Sequence, residues 1–156
     1  MQDWAHRNAP LHETFGDNVD RTYIESVFAA VAAKDLEKVM AAFADDALLY
    51  DPHYPQPEMR GKAAIRRGLE WGRSSMQKFG FPIRNCWIDG DKAVIEVDTH
   101  HVLQGGMELK FPQIFVIETR DGLVTRLQSY VPYPPQGIPG LVGMVTRLQW
   151  KLTGKL

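Results

Sequence analysis

The chain of 156 residues holds one cysteine, Cys86, so an intramolecular disulfide is excluded. It has no run of 18 apolar residues, and a membrane span is not expected. The first 18 residues are polar and lack an apolar signal-peptide core, which makes a cytoplasmic protein the expectation. Charge of one sign is also missing. The net charge is -1, and basic residues do not cluster beyond Arg66-Arg67, so neither nucleic acid nor an anionic membrane is an expected partner. There is no glycine-rich phosphate loop, no Cys/His spacing of the metal-binding kind and no internal repeat. No cofactor and no metal are expected.

What is present is enough for one folded domain. A hydrophobic fraction of 44% with 24% charge fits a globular chain of this length with a real core. Residues 1–19 show no clear period and read as an irregular arm, whose Trp4 and Phe15 are expected to pack onto the body. Asp20 or Thr22 can cap a first helix, with Glu25 completing a capping-box pattern after Thr22. Tyr23, Ile24, Val27, Phe28 and Val31 follow at helical spacing. A second helix comes after Lys34-Asp35, with Leu36, Val39, Met40 and Phe43 on its buried side.

Two acids, Asp45 and Asp46, then turn the chain into a short strand that ends at Asp51-Pro52. Alternation puts Ala47, Leu49 and Asp51 on one face, which sets a carboxylate in line with apolar neighbours. Two readings follow. In a solvent-poor pocket this group would serve as a proton-transferring base. Equally, Asp before Pro caps turns. The stretch from His53 to Gly61 carries Pro55 and Pro57 and reads as a loop. A third helix is expected from Lys62 to Met76, with Ala64, Ile65, Gly68, Leu69 and Gly72 along one side. The two glycines leave room there, for a cavity wall or for close packing on a sheet.

From Phe81 onward the pattern is of strands. Four are expected: Ile83 to Ile88, Lys92 to Leu103, Met107 to Thr119 and Leu123 to Tyr133, with turns at Asp89-Gly90-Asp91 and Arg120-Asp121-Gly122. Helices followed by an antiparallel meander make an α+β domain. One face of the second of these strands reads Ala93, Ile95, Val97, Thr99, His101, apolar turning polar, as a pocket wall would be. A bulge at His100-His101 would exchange the two histidines. Residues 134–156 form a proline-rich linker and an amphipathic helix with Leu141, Met144, Val145, Leu148 and Leu152 at helical spacing.

The phrases Ala-Ala-Lys-Asp-Leu (32–36), Phe-Ala-Asp-Asp-Ala (43–47), Asp-Pro (51–52) and Gly-Lys-Ala-Ala-Ile-Arg (61–66) fall in order along residues 20–133. In this the chain resembles the SnoaL-like, ketosteroid-isomerase-like branch of the nuclear-transport-factor-2-like superfamily. The resemblance implies a curved antiparallel sheet wrapped around helices into a cone-shaped pocket. It implies that Asp51 is a proton-shuttling base, paired with His101 as in SnoaL-type cyclases. His53, Tyr54, Val27, Leu69, Val97, Thr99, Ile114, Val116, Leu127 and Ser129 would then line the substrate pocket. The resemblance also implies a homodimer, with Phe111, Phe115 and Ile117 on the outer sheet face. The chain departs from the steroid isomerases where their oxyanion donors stand: the matching positions are read as Val27 and Ile114. Against the epoxide hydrolases of the superfamily, Asp98 has no arginine beside it in sequence, and Ser129 replaces the second acid. The expected activity is acid/base catalysis of isomerase, cyclase or dehydratase type on a hydrophobic cyclic small molecule. The alternative is a non-enzymatic small-molecule-binding or dimerisation module of the same fold.

Overall fold

Asp20 starts the first helix. In the computed structural model, which describes residues 19–132 together with Val145, Leu148 and Leu152, its carboxylate accepts from the Tyr23 N–H at 2.7 Å. Helix α1 spans Arg21–Ala32 and buries Tyr23, Ile24, Val27, Phe28 and Ala30. Glu25 pairs with Arg21 at 2.7 Å instead of closing a capping box. Asp35 caps α2 (Leu36–Ala41) by accepting from the Lys38 N–H. Phe43 does not extend that helix as its spacing suggested. It opens β1 (Phe43–Tyr50), where it is almost fully buried.

Part of the stretch read as a loop is β2 (Glu58–Arg60), antiparallel to β1. Helix α3 covers Gly61–Ser75 and turns Ala64, Ile65 and Gly72 inward. The short β3 (Met76–Lys78) had no signal in the sequence. Strands β4 (Ile83–Asp89), β5 (Lys92–Leu103), β6 (Glu108–Arg120) and β7 (Leu123–Tyr130) form the expected meander.

All seven strands join one sheet in the order β2-β1-β7-β6-β5-β3, with β4 also paired to β5. The sheet is mixed, because β1 runs parallel to β7. Nearly half of the chain separates these two strands, and alternation within a strand carries no information about its neighbour's direction. The curled sheet wraps the helices into a cone of α+β type. Ile24, Phe43, Met59, Ile65, Ile95 and Val97 are among its most deeply buried side chains.

Register decides which side chains enter the cone. β5 and β6 pair without a break from Lys92↔Glu118 to Val102↔Glu108. No bulge intervenes at the histidines, so His101 points inward with Thr99 and Val97. Opposed residues share a face. Phe115 lies opposite Ile95, Gln113 opposite Val97 and Phe111 opposite Thr99, and these enter the cone. Ile114 and Val116 therefore face outward, where Ile114 is 40% exposed. That corrects the sequence reading on both counts: Ile114 and Val116 leave the pocket, and Phe111, Phe115 and Ile117 leave the outer face. The reason is physical. Both faces of β6 carry large apolar residues, so alternation fixes the period but not the side.

The N-terminal arm with Trp4 and Phe15, and the proline-rich linker, lie outside the described residues. Val145, Leu148 and Leu152 are helical and exposed. Among the described residues no helix is long and apolar enough to cross a membrane.

Candidate functional site

The interior of the cone holds a cavity of about 260 Å³. Helix α1 contributes Val27 and Phe28, and α3 contributes Leu69, Trp71 and Gly72. The sheet contributes Phe111, Gln113, Phe115 and Leu127. Asp51, His53, Tyr54 and His101 also reach it.

Asp51 follows β1 directly and is 8% exposed. Its two carboxylate oxygens have different surroundings. Oδ1 accepts from the His53 backbone N–H at 2.9 Å, and the His53 ring Nδ1 stands 3.1 Å from the same atom. That is a side-chain turn of the kind Asp forms before Pro. Oδ2 has one longer contact, with Gln113 Nε2 at 3.4 Å. The turn role and an open oxygen thus coexist in one carboxylate.

Gln113 is 2% exposed, and its amide orientation is fixed by its neighbours. The Thr99 hydroxyl donates to Gln113 Oε1 at 2.7 Å. Gln113 Nε2 donates to Ser129 Oγ at 2.7 Å. One amide proton is committed to Ser129, which leaves the other directed at Asp51 Oδ2. Three strands supply this chain of hydrogen bonds: Thr99 from β5, Gln113 from β6 and Ser129 from β7.

His101 lies between aromatic rings. The centroids of Phe81 and Phe79 are 4.8 and 5.3 Å from its own, both edge-on. The Gly80 backbone N–H donates to His101 Nδ1 at 3.2 Å. A backbone N–H can only donate, so Nδ1 is the acceptor and the neutral ring carries its proton on Nε2. Burial, and secondly the charge of His53, push the pKa of His101 down to about 4, against a smaller opposing effect of Asp51. At pH 7 it is neutral. Gly80 makes this contact because it lacks a side chain: a Cβ there would stand 2.5 Å from the His100 carbonyl oxygen.

Tyr54 stands against the helix wall, its ring 5.7 Å from that of Trp71. Gly72 makes room for it, since a Cβ there would approach the Tyr54 hydroxyl to 3.1 Å. Burial, with a smaller contribution from Asp51, raises the Tyr54 pKa, and the phenol stays protonated.

Among the residues read from sequence, Asp51, His101, His53, Tyr54, Val27, Leu69 and Leu127 meet at the cavity. Val97 is fully buried in the core and does not line it. Thr99 and Ser129 stand behind the lining and reach the cavity only through Gln113. Gln113 escaped the sequence reading. The available signal was a lone polar residue alternating with Phe111 and Phe115. Asp98 does have an arginine beside it: Arg84 binds it at 2.7 Å from the neighbouring strand, on the exposed outer face. Among the described residues no group of three or more His, Cys, Asp or Glu is arranged to hold a metal ion.

A model of the SnoaL-like domain matches residues 24–127, two thirds of the chain and the whole cone from α1 into β7. The chain belongs to the SnoaL-like domain family. No curated protein matches it. Among solved structures, this SnoaL-like domain is similar to a Catenulispora acidiphila protein of ketosteroid-isomerase-like fold in complex with trimethylamine. That match has 19% identity and a TM-score of 0.65, covering 74% of this chain and 89% of that one. An LEH-like epoxide hydrolase of M. tuberculosis matches at 22% identity and a TM-score of 0.63, over 71% and 76%. A Shewanella putrefaciens protein described as a SnoaL-like polyketide cyclase matches at 14% and 0.62, over 71% and 88%. At these identities the likeness establishes the fold of the SnoaL-like domain.

Proposed function

We propose that this domain performs cofactor-independent acid/base catalysis, of isomerase, cyclase or dehydratase type, on a hydrophobic cyclic carbonyl compound. The observation that carries the reading is Asp51 Oδ2: a buried carboxylate oxygen with one long contact, at a largely apolar cavity beside a neutral histidine. An apolar cavity of about 150 Å³ takes one benzene ring. The cavity here, at about 260 Å³, suits a compound of two fused rings.

The step needs only these side chains. Asp51 Oδ2 takes a proton from the carbon next to the carbonyl. The electron pair of the broken C–H bond moves to the carbonyl oxygen as the enolate forms. His101 Nε2–H donates to that oxygen, and the Gln113 Nε2–H directed at Asp51 Oδ2 positions the base. Asp51 returns the proton at the same or a conjugated carbon, so no oxidant or cofactor is required. This donor comes from β5 rather than from the Val27 and Ile114 positions implied by the steroid isomerases. The epoxide-hydrolase activity named for the M. tuberculosis structure is not the favoured reading, since the arginine beside Asp98 is on the outer face.

Indanone, a two-ring ketone, tests the proposal by deuterium uptake at its α-carbon in D2O, followed by NMR. The protein should accelerate uptake, and Asp51→Asn should slow it at least a hundredfold. Equal rates for the two proteins, or none above buffer, would leave the binding-module alternative.

A homodimer is proposed as well. The outer sheet face shows Trp87, Val94, Ile114 and Tyr130, all more than a third exposed, and a second copy would cover this stripe. The mass in solution tests it: a monomer at micromolar concentration refutes the pairing.

A further inference from the structure

The helix wall of the cavity carries a polar group that the reaction above does not use. Tyr54 lines the cavity through a ring set against Trp71 and Gly72, and its backbone N–H donates to the Asp51 carbonyl at 3.2 Å. Among the described residues the phenol hydroxyl makes no hydrogen bond, although burial keeps it protonated. Tyr54 is only partly buried, and its hydroxyl is free to take a hydrogen-bond partner from the cavity. Tyr54 packs against the core on one side and borders the cavity on the other.

The helix is shaped to seat this hydroxyl. Glycine costs a helix interior about 1 kcal/mol relative to alanine, and α3 accepts it twice, at Gly68 and Gly72. At Gly68 a Cβ would collide with the Met59 sulfur, which packing alone explains. At Gly72 the nearest atom to a Cβ would be the Tyr54 hydroxyl oxygen itself, at 3.1 Å. The space is filled by the hydroxyl end of the Tyr54 ring.

We propose that Tyr54 Oη reads a second oxygen on the ligand. The substrate class narrows to oxygenated two-ring carbonyl compounds, such as hydroxylated aromatic ketones, whose carbonyl meets His101 while another hydroxyl or carbonyl meets Tyr54. The assignment of the carbonyl end rests on the acid/base reading; the Tyr54 contact does not require turnover.

Binding of indanone and of its ring-hydroxylated isomers, read by quenching of tryptophan fluorescence, tests this without catalysis. The best hydroxylated isomer should bind about fivefold more tightly than indanone. Tyr54→Phe should abolish that preference. Gly72→Ala crowds the hydroxyl but favours the helix, so it should fold and lose the same preference. A preference that survives in Tyr54→Phe overturns the proposal, as does its absence in the unaltered protein. If α-carbon exchange fails while the Tyr54-dependent preference stands, the acid/base reading falls and this one remains.

Discussion

His101 should make the stability of this domain fall steeply in mild acid. Its pKa is pushed from 6.5 in the unfolded chain to about 4 by burial among Phe79, Phe81 and Phe111. Folding thus holds the ring neutral, and the unfolded chain binds the proton first. The stabilisation is complete above about pH 6.5, declines as the pH drops and is lost once the pH passes below about 4. The whole shift is worth about 3 kcal/mol, and about 2 kcal/mol of it is already lost at pH 5. A domain of this size is stable by about 5–15 kcal/mol in total, so the loss is readily measured. His101→Asn removes the titration, and its amide oxygen can still accept from the Gly80 N–H. Urea unfolding of both proteins at pH 8, 6, 5 and 4.5, followed by tryptophan fluorescence, gives the comparison. The difference between them should shrink by about 2 kcal/mol from pH 8 to pH 5. Parallel pH dependence would mean that His101 is not held neutral by the fold, and its role as an Nε2–H donor would lose its basis.

Gly80→Ala drives a Cβ to 2.5 Å from the His100 carbonyl and should cost about 2 kcal/mol in urea unfolding. Nitrogen NMR should then show the His101 ring distributed over both tautomers rather than fixed with its proton on Nε2. Gln113→Leu strands the Thr99 hydroxyl and removes the donor to Ser129, so stability should drop by about 2 kcal/mol or more. It should also slow α-carbon exchange by tenfold or more; an unchanged rate would remove Gln113 from the site. Ile114→Lys alters only the outer face and should shift stability by no more than about 0.5 kcal/mol. The proposed dimer should nonetheless dissociate, which sedimentation will show as a halved mass.

How much of this was legible depended on whether the two faces of an element differ. On β5, Ala93, Ile95 and Val97 alternate with Glu96 and Asp98, so the inward face and His101 could be read directly. On β6, Phe111 and Phe115 compete with Ile114 and Val116, and only pairing to β5 settles the side. Gln113 was lost in that ambiguity. The carboxylate at the end of β1 was legible because Ala47 and Leu49 lead into Asp51-Pro52; the turn takes up Oδ1 and leaves Oδ2 for the proposed base. Edge strands of three residues, β2 and β3, are too short for any period to show. The tautomer of His101 depends on Gly80, which no strand pattern marks, through a backbone N–H twenty-one residues away. At α3 the glycines left two uses open. Gly68 serves packing against Met59, and Gly72 serves the cavity beside Tyr54.

The most direct test of the account is the rate of deuterium uptake by indanone with the unaltered protein, Asp51→Asn and His53→Ala side by side. The account predicts that Asp51→Asn loses at least a hundredfold, because the base is gone. It predicts that His53→Ala loses less than tenfold, because His53 supports Oδ1 and leaves Oδ2 in place. Unaltered uptake in Asp51→Asn would contradict it outright, and so would a His53→Ala loss as large as that of Asp51→Asn.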